Sequence, residues 1–396
     1  MGVNQGDIAY QAYQIINAIH DQATGESTLA PLNHDQFVSV AQKVLAAGYD
    51  KVMNAITTVV GRTIIAVRPY DRKFADLEAT AERWGGWVRK LSFGDIEVEE
   101  DAGYVLVDGT SVDPFEIQKV PTLELDFLGS DSWQMKHSVM KDQLNACFQD
   151  EASLVSFVQS IATHISNMRE QRLENMARQT LVALMLARSA AESDVPESVV
   201  HLVTDFNTFI GSPSPALTLA DLMAPDKIRG FYQYVIGRIA GLSRMMTERS
   251  QMFQNKITGY KINRHTPRED QRLYLAADVM ETIATQVDAN TFNEEFLKLP
   301  AHEEVSFWQA IDTPYSIEGV PPVLNADGTL GTGSSTTETA VLGILMDRDA
   351  AGYNVYFDEV EPAIYNPRGR YFNFFHAVRA QYQVDLSEKS ILLLLD

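Results

Sequence analysis

The chain has 396 residues, 45% hydrophobic and 21% charged, a balance that supports packed cores and excludes a largely disordered chain. Acidic residues outnumber basic ones 53 to 32, for a formal net charge of -21; repulsion at that charge argues against a protein that wraps nucleic acid or coats an anionic membrane. At this length no disulfide or metal is needed for stability, and two or three packed units are expected.

The one cysteine, Cys147, excludes an intrachain disulfide and a cysteine-based zinc site. Between Ala146 and Phe148 it reads as a buried thiol in a chain made in a reducing compartment. The opening MGVNQGDIAYQAYQ has neither the basic start nor the apolar core of a signal peptide, and Gly6 stands where a myristoylation signal wants Ser or Thr. No apolar run approaches the length of a membrane span, and no membrane partner is expected.

In chain order, Ile8, Ile15, Ile16 and Ile19 recur near helical spacing over residues 7–20, and a second helix, started by Asp35, is expected over about 34–57. From Arg62 the texture is β-rich: RTIIAVRPY, WGGWVRKLSF, DIEVEE and GYVLVDG follow one another. Asp101-Ala102-Gly103 reads as a hairpin turn, which makes residues 95–109 an antiparallel ribbon whose first arm carries Asp95, Glu97, Glu99 and Glu100. That acidic arm is either a solvated edge or a docking surface.

From Asp150, a plausible cap, the pattern is helical almost to Pro196, with Leu154, Phe157, Val158, Ile161, Ile165 and Met168 on one face. About 40 residues at 1.5 Å each give a helix of roughly 60 Å, and the polar middle MREQRLEN carries no heptad, so it is not a coiled coil. Residues 211–226 read as a loop. A helix over about 226–250 follows, with Phe231, Val235, Ile239, Leu242 and Met246 on one face and Gly237 and Gly241 where close packing favours small residues. The cations Lys256, Lys261, Arg264, Arg268 and Arg272 read as a solvated loop in preference to a nucleic-acid site. QRLYLAADV is a strand entering a helix, 318–339 a Gly/Ser/Thr loop, and four extended segments close the chain: AVLGILMD, YNVYFDEVE, YNPRGRYFNFFHAVRAQYQV and SILLLLD. In the third, Phe372, Phe374, His376, Val378, Ala380, Tyr382 and Val384 alternate with Tyr371, Asn373, Phe375, Ala377, Arg379, Gln381 and Gln383, a strand far longer than the usual ~5–6 residues.

Catalytic constellations are sparse. GTGSS at 331–335 lacks the Gly-Lys-Ser/Thr of a phosphate loop, and neither GxGxxG nor GxSxG occurs. His302 precedes Glu303-Glu304 without a second histidine at ligand spacing, and His376 reads as a hydrogen-bonded core residue. Asp347-Arg348-Asp349 is a polar turn or, in a rival reading, a paired acid and base. No catalytic residue, metal or cofactor is expected.

The run from Gly343 to Val384, with Asn366-Pro367-Arg368-Gly369 followed by Tyr371, resembles the C-terminal core of major head proteins from short-tailed bacteriophages of the phi-twenty-nine type. QIINAI and KDQLNACFQDEASLVSFVQSI support the resemblance in the same order. It implies an α+β Hong Kong 97-type capsid fold: an N-terminal arm (1–61), an extended β-hairpin loop (62–140), a peripheral domain (141–196) with a spine helix at 151–193, an axial domain (197–345) and a C-terminal return of the peripheral sheet (346–396). It also implies a protein that self-assembles as pentamers and hexamers into an icosahedral or prolate head shell around double-stranded DNA. Such a protein is assembled in the host cytoplasm and found in the virion, with no sequence-specific nucleic-acid binding.

A portal is implied, and a separate scaffolding protein too, because no long N-terminal segment precedes the core. Some relatives carry an immunoglobulin-like domain after the core; this chain stops at Asp396, so surface decoration is not expected. The contacts expected between subunits are the acidic hairpin, Glu97, Glu99 and Glu100, lying across a neighbour against cations such as Arg368, Arg370 or Arg379. Trp84 and Trp87 either anchor the base of that loop or form a buried pair. Two rivals stay open: a cargo-enclosing compartment shell of the same fold, and an enzyme using Asp347, Asp349 and the GTGSS loop.

Overall fold

The computed structural model describes residues 5–25, 34–48, 51–56, 70, 72–79, 88–96, 98–113, 115, 117, 119–127, 129–148, 151–279, 281 and 302–396. The strand expected from Arg62 and the cap expected at Asp150 lie outside these residues. Helices α1 (Gln5–Thr24) and α2 (His34–Ala46) open the chain. The single helix expected over 34–57 is broken: Gly48 takes φ 104, a conformation that glycine alone adopts without strain, and a second helical stretch covers 51–56. Strands β1 (Val88–Phe93), β2 (Thr122–Phe127) and β3 (Ser130–Met140) follow, then α3 (Lys141–Cys147) and the 40-residue α4 (Glu151–Ala190). Next come β4 (Val199–His201), α5 (Leu202–Phe209), α6 (Ile228–Thr247), β5 (Gln271–Ala276) and β6 (His302–Val305). Four short strands, β7 (Ile317–Gly319), β8 (Pro322–Leu324), β9 (Leu330–Thr332) and β10 (Thr336–Glu338), precede β11 (Val341–Asp347), β12 (Ala351–Asn366), β13 (Tyr371–Val384) and β14 (Ser390–Leu394).

The chain divides into two compact units. The first takes Met1–Gly86, Ser130–Met176 and Asn354–Gln381; the second takes Trp87–Gly129, Ala177–Tyr353 and Tyr382–Asp396. In the first, β12, β13 and β3 form a sheet in that order, with β13 and β3 antiparallel from Tyr371 opposite Met140 to Gln381 opposite Ser130. Phe372 and Phe374 share one core with Val139, with Leu154, Val158, Ile161 and Ile165 of α4, and with Ile16, Ile19 and Phe37. The alternation in the long strand therefore buries its apolar face against the long helix, as its period predicts. Met168, counted on the apolar face of that helix, is exposed.

Among the buried aromatics His376 contacts Asp358, whose second oxygen takes Arg169 Nε at 2.7 Å. Arg169 also contacts Glu170, which accepts Arg72 Nη1 at 2.9 Å. Burial works against the Asp358 carboxylate, but the bonds from His376 and Arg169 outweigh it and hold its pKa below the ordinary value. The Cys147 thiol is half-buried, and burial pushes its pKa up, away from a reactive thiolate.

The alternation fails before the strand ends. Gln381, expected outward, is 2% exposed, and Tyr382, expected inward, is 41% exposed. The phase slips where the register with β3 stops, and the Tyr382 N–H turns to the Gly129 carbonyl at 3.1 Å.

The second unit is built on a five-stranded sheet in the order β4-β14-β11-β5-β6, antiparallel at its centre and joined in parallel at both edges. Every position of β11 and β14 is buried, which is why VLGILMD and SILLL read as continuous apolar runs with no period. The apolar face of α6, Phe231, Val235, Ile239, Leu242 and Met246, shares a core with Leu273, Leu275, Leu345, Ile391 and Leu393. The loop expected over 318–339 is instead two antiparallel pairs, β7 with β10 and β8 with β9. The GTGSS segment starts in β9, and the Gly333 N–H is used by the Pro321 carbonyl at 2.8 Å, so it is not shaped to cradle phosphate.

Glycine marks close packing at a different place from the one expected. A Cβ on Gly237 or Gly241 meets nothing within 4 Å, whereas on Gly343 it collides with the Tyr274 carbonyl of β5, beside an irregularity in the β11–β14 register. Gly343→Ala is accordingly expected to destabilise the subunit by about 1–3 kcal/mol through overpacking. Gly237→Ala and Gly241→Ala are each expected to stabilise it by about 0.5–1 kcal/mol, because alanine loses less backbone entropy in a helix. Urea unfolding of the soluble subunit checks both signs.

His201 supplies a pH dependence. Its Nδ1 lies 2.7 Å from Asp396 Oδ1 and its Nε2 2.8 Å from Glu192 Oε1, and only the imidazolium can donate to both. Partial burial lowers its pKa, but the two carboxylates more than offset that and raise it. The bridge's contribution is therefore complete below the unfolded histidine value of about 6.5 and is lost as pH rises through the raised folded value. His201→Asn is expected to remove about 1 kcal/mol or less at pH 5.5 and almost nothing at pH 9, read from paired unfolding curves.

Candidate assembly surface

Strands β1 and β2 pair antiparallel from Val88 opposite Phe127 to Phe93 opposite Thr122. On β2 the apolar residues Leu123, Leu125 and Phe127 are buried in the usual alternation. On β1 the alternation is inverted: Leu91 and Phe93 face out, Ser92 is buried and Lys90 is largely covered. Polar partners explain it. Lys90 Nζ contacts the carboxylates of Asp385 and Glu388, and Arg264 Nη2 donates to Ser92 Oγ at 2.9 Å. A covered charge is tolerated where such partners exist, and here they select the face. Arg264 is thus drawn in to pair with Glu388, while Lys256, Lys261 and Arg268 stay exposed, as a solvated loop predicts, and Arg272 lies in β5.

The hairpin expected at 95–109 is not formed. Asp101 caps a single helical turn, Ala102–Val105, by accepting from the Gly103 N–H at 2.9 Å, and among the described residues 94–121 hold no strand. Asp101, competing for its own backbone, makes a turn start where a ribbon needs a crossing. The bonds of Asp101, Thr110 and Asp113 all stay within three residues. The loop's large apolar residues face outward: Val98 is 97% exposed, Tyr104 94%, Phe115 84% and Ile117 91%. Leu106, Val107 and Val112 are also exposed. So dense an apolar surface on one segment is of the kind that association sites carry.

Of the expected contact residues, Glu99 and Glu100 are exposed on this loop, while Glu97, Trp84 and Trp87 lie outside the described residues. Arg368 and Arg370 are exposed in the turn between β12 and β13, where Asn366 Oδ1 accepts from the backbone N–H of Arg368 (3.1 Å) and of Gly369 (3.0 Å). Arg370 has φ 52, and its carbonyl accepts from the Lys141 N–H at 3.0 Å. The Arg379 guanidinium lies over the Phe357 ring, 5.0 Å from its centre. The acidic residues belong to the second unit and the three arginines to the first. The exposed apolar residues were missed because GYVLVDG reads equally as a strand. The signal that separates the two is the absence of polar alternation before Asp108-Gly109.

Asp347 and Asp349 border an open polar cleft of about 740 Å³, lined also by Arg249, Arg264, Asp270 and Arg348. Asp347 accepts from Thr266 Oγ1 at 2.7 Å and from the Asp349 N–H at 2.9 Å, and burial raises its pKa. Its bonds hold a turn together, the role of a polar turn residue.

The comparisons with known proteins agree with this architecture. No curated protein matches the sequence. Among solved structures, a chain in the capsid structure of Staphylococcus phage Andhra is similar at 12% identity and TM-score 0.53, over 83% of this chain and 86% of that one. A chain in the structure of the head fiber and inner core protein gp22 of native bacteriophage P68 is similar at 11% identity and TM-score 0.54, over 82% and 84%. A profile of the Phi29-like phage major capsid proteins matches residues 16–394, nearly the whole length. The chain belongs to the Phi29-like phage major capsid protein family and is a shell-forming head protein of the virion with the Hong Kong 97-type fold.

Proposed function

We propose that residues 94–121 are the assembly loop of this shell protein and lie on a neighbouring copy, burying Tyr104, Phe115 and Ile117 with Glu99 and Glu100 at the rim. The single observation that carries this is the near-complete exposure of those apolar side chains in the isolated chain. In the same reading residues 1–61 are the arm, 62–140 the extended loop, 141–196 the peripheral domain with α4 as its spine, 197–345 the axial domain and 346–396 the returning sheet. Pentamers and hexamers close an icosahedral or prolate head around double-stranded DNA in the host cytoplasm, with a scaffolding protein and a portal as partners and no catalytic step. Each contact is weak and correctable, and the shell is stable because many copies add up. The acidic chain binds no nucleic acid sequence-specifically, and its charge keeps packed DNA from adhering to the wall.

Glu97, Glu99 and Glu100 are proposed to meet cations such as Arg368, Arg370 or Arg379 of the neighbour, with Trp84 and Trp87 at the base of the loop. Changing the three glutamates to lysine together is expected to leave folded, soluble subunits that form no closed shells. Electron microscopy of the chain expressed with and without a scaffolding partner reads the result, and normal shells from the variant would remove the acidic contact from the scheme.

A further inference from the structure

The assembly loop leaves the second unit through β1 and β2, and its root is tied to the body by charge. Lys90 sits between the carboxylates of Asp385 and Glu388, which are almost fully buried. Glu388 also takes Arg264 Nη1 at 2.7 Å, and Arg264 Nη2 reaches both Ser92 Oγ (2.9 Å) and Ser387 Oγ (3.2 Å). Farther along, Asp95 contacts Arg249, accepts from the Asn263 N–H at 3.0 Å and donates its own N–H to the Lys261 carbonyl at 2.6 Å. Lys90, Ser92 and Asp95 are thus each held by polar groups from segments 249–264 and 385–388.

The apolar attachment comes from β2, through Leu123, Leu125 and Phe127, and apolar burial has no direction. Ion pairs and hydrogen bonds depend on distance and angle, and these carboxylates are screened less than surface groups. The cleft bordered by Arg249, Arg264 and Glu388 opens the same cluster to water on one side, so its pairs can exchange for water without the sheet opening.

We infer that Lys90 is the positioning residue of the assembly loop: with Asp385, Glu388 and Arg264 it forms a latch that sets the direction in which residues 94–121 leave the body. Releasing the latch lets the ribbon swing while the five-stranded sheet stays intact. This rests on the reading of 94–121 as the assembly loop.

The test uses the full chain in a Cys147→Ser background with spin labels at Thr122→Cys, on the ribbon, and Thr208→Cys, on α5. The expected result is one narrow distance distribution for the unaltered latch and for Lys90→Arg, and a broadened, shifted one for Lys90→Met, whose unfolding midpoint falls because Asp385 loses its lysine partner while β11 and β14 keep their exchange protection. Asp95→Asn, on the outer and more exposed leg, is expected to broaden it less, and it decides the question if Lys90→Met does not fold. A distribution unchanged in both Lys90→Met and Asp95→Asn overturns the latch. So does broadening that appears only together with loss of sheet protection in β11 and β14. Normal shells from a Lys90→Met subunit with a broadened distribution overturn the positioning role but leave the assembly loop standing. Normal shells from a subunit whose loop apolar residues are removed overturn the assembly loop and leave the distance result unaffected.

Discussion

Replacing Tyr104, Phe115 and Ile117 together with serine abolishes closed shells and leaves the subunit folded. All three side chains are almost fully exposed in the chain, so they contribute little to its own stability, and the unfolding midpoint moves by no more than a surface substitution does, within about 0.5 kcal/mol. In an interface each would be worth about 1.5–3 kcal/mol of apolar burial, so the triple change removes roughly 4.5–9 kcal/mol from every loop contact. A shell is a sum over repeated weak contacts, and a loss of that size at each one exceeds what a correctable contact can absorb. The glutamate reversal acts at the rim, where exposed pairs are worth about 1 kcal/mol or less, and it works by adding repulsion. Electron microscopy and urea unfolding on the same preparation separate the two effects. Normal particles from the serine variant, with the subunit folded, would sink the assembly reading.

Arg188→Met costs the subunit about 3–5 kcal/mol, because buried acceptors that lose their donor cost roughly 1–3 kcal/mol each. Arg188, on α4, is completely buried and donates to Ser390 Oγ (2.6 Å), Asn255 Oδ1 (2.8 Å) and the carbonyls of Leu386 (3.1 Å) and Glu388 (2.8 Å). Burial lowers its pKa to about 10, with Asp385 acting in the opposite direction, and it remains charged at neutral pH. Methionine matches the aliphatic stem but takes the donor from Asn255 Oδ1 and the Glu388 carbonyl, the Leu386 carbonyl keeping the Asn255 N–H at 3.0 Å. The turn 385–388 that Arg188 braces also carries the carboxylates facing Lys90, so the variant should loosen the root of the loop as well. An unchanged urea midpoint would show that the cluster is stabilised by other groups.

Much of the fold was legible along the chain because the signals are local. The apolar spacing of residues 154–165 and of 231–246 marks helices whatever they pack against, and the alternation through 371–380 marks a strand with one buried face. The turn Asn366-Pro367-Arg368-Gly369 and the order of elements pointed to the family, and the burial of Phe372, Phe374 and His376 follows from the period alone. Other features needed partners distant in sequence. Gly343 is critical and Gly237 is not, because only the pairing with β5 puts a carbonyl against the former. Gln381 is buried although it is still paired, opposite Ser130 in the last pair with β3, a break in the alternation that the period does not give.

The candidate site divides the same way. The acidic residues were visible as a cluster, but the apolar surface beside them was not, because an apolar run looks the same whether it will be covered by its own chain or left for another copy. The sequence by itself determined the long helices and long strands, through periods set by backbone geometry, but not the helical turn at 102–105 or the short strand pairs within 317–338. Which face of β1 turns inward was decided only in the tertiary structure: Lys90 and Ser92 face the body because Asp385, Glu388 and Arg264, more than 170 residues away along the chain, arrive there to satisfy them.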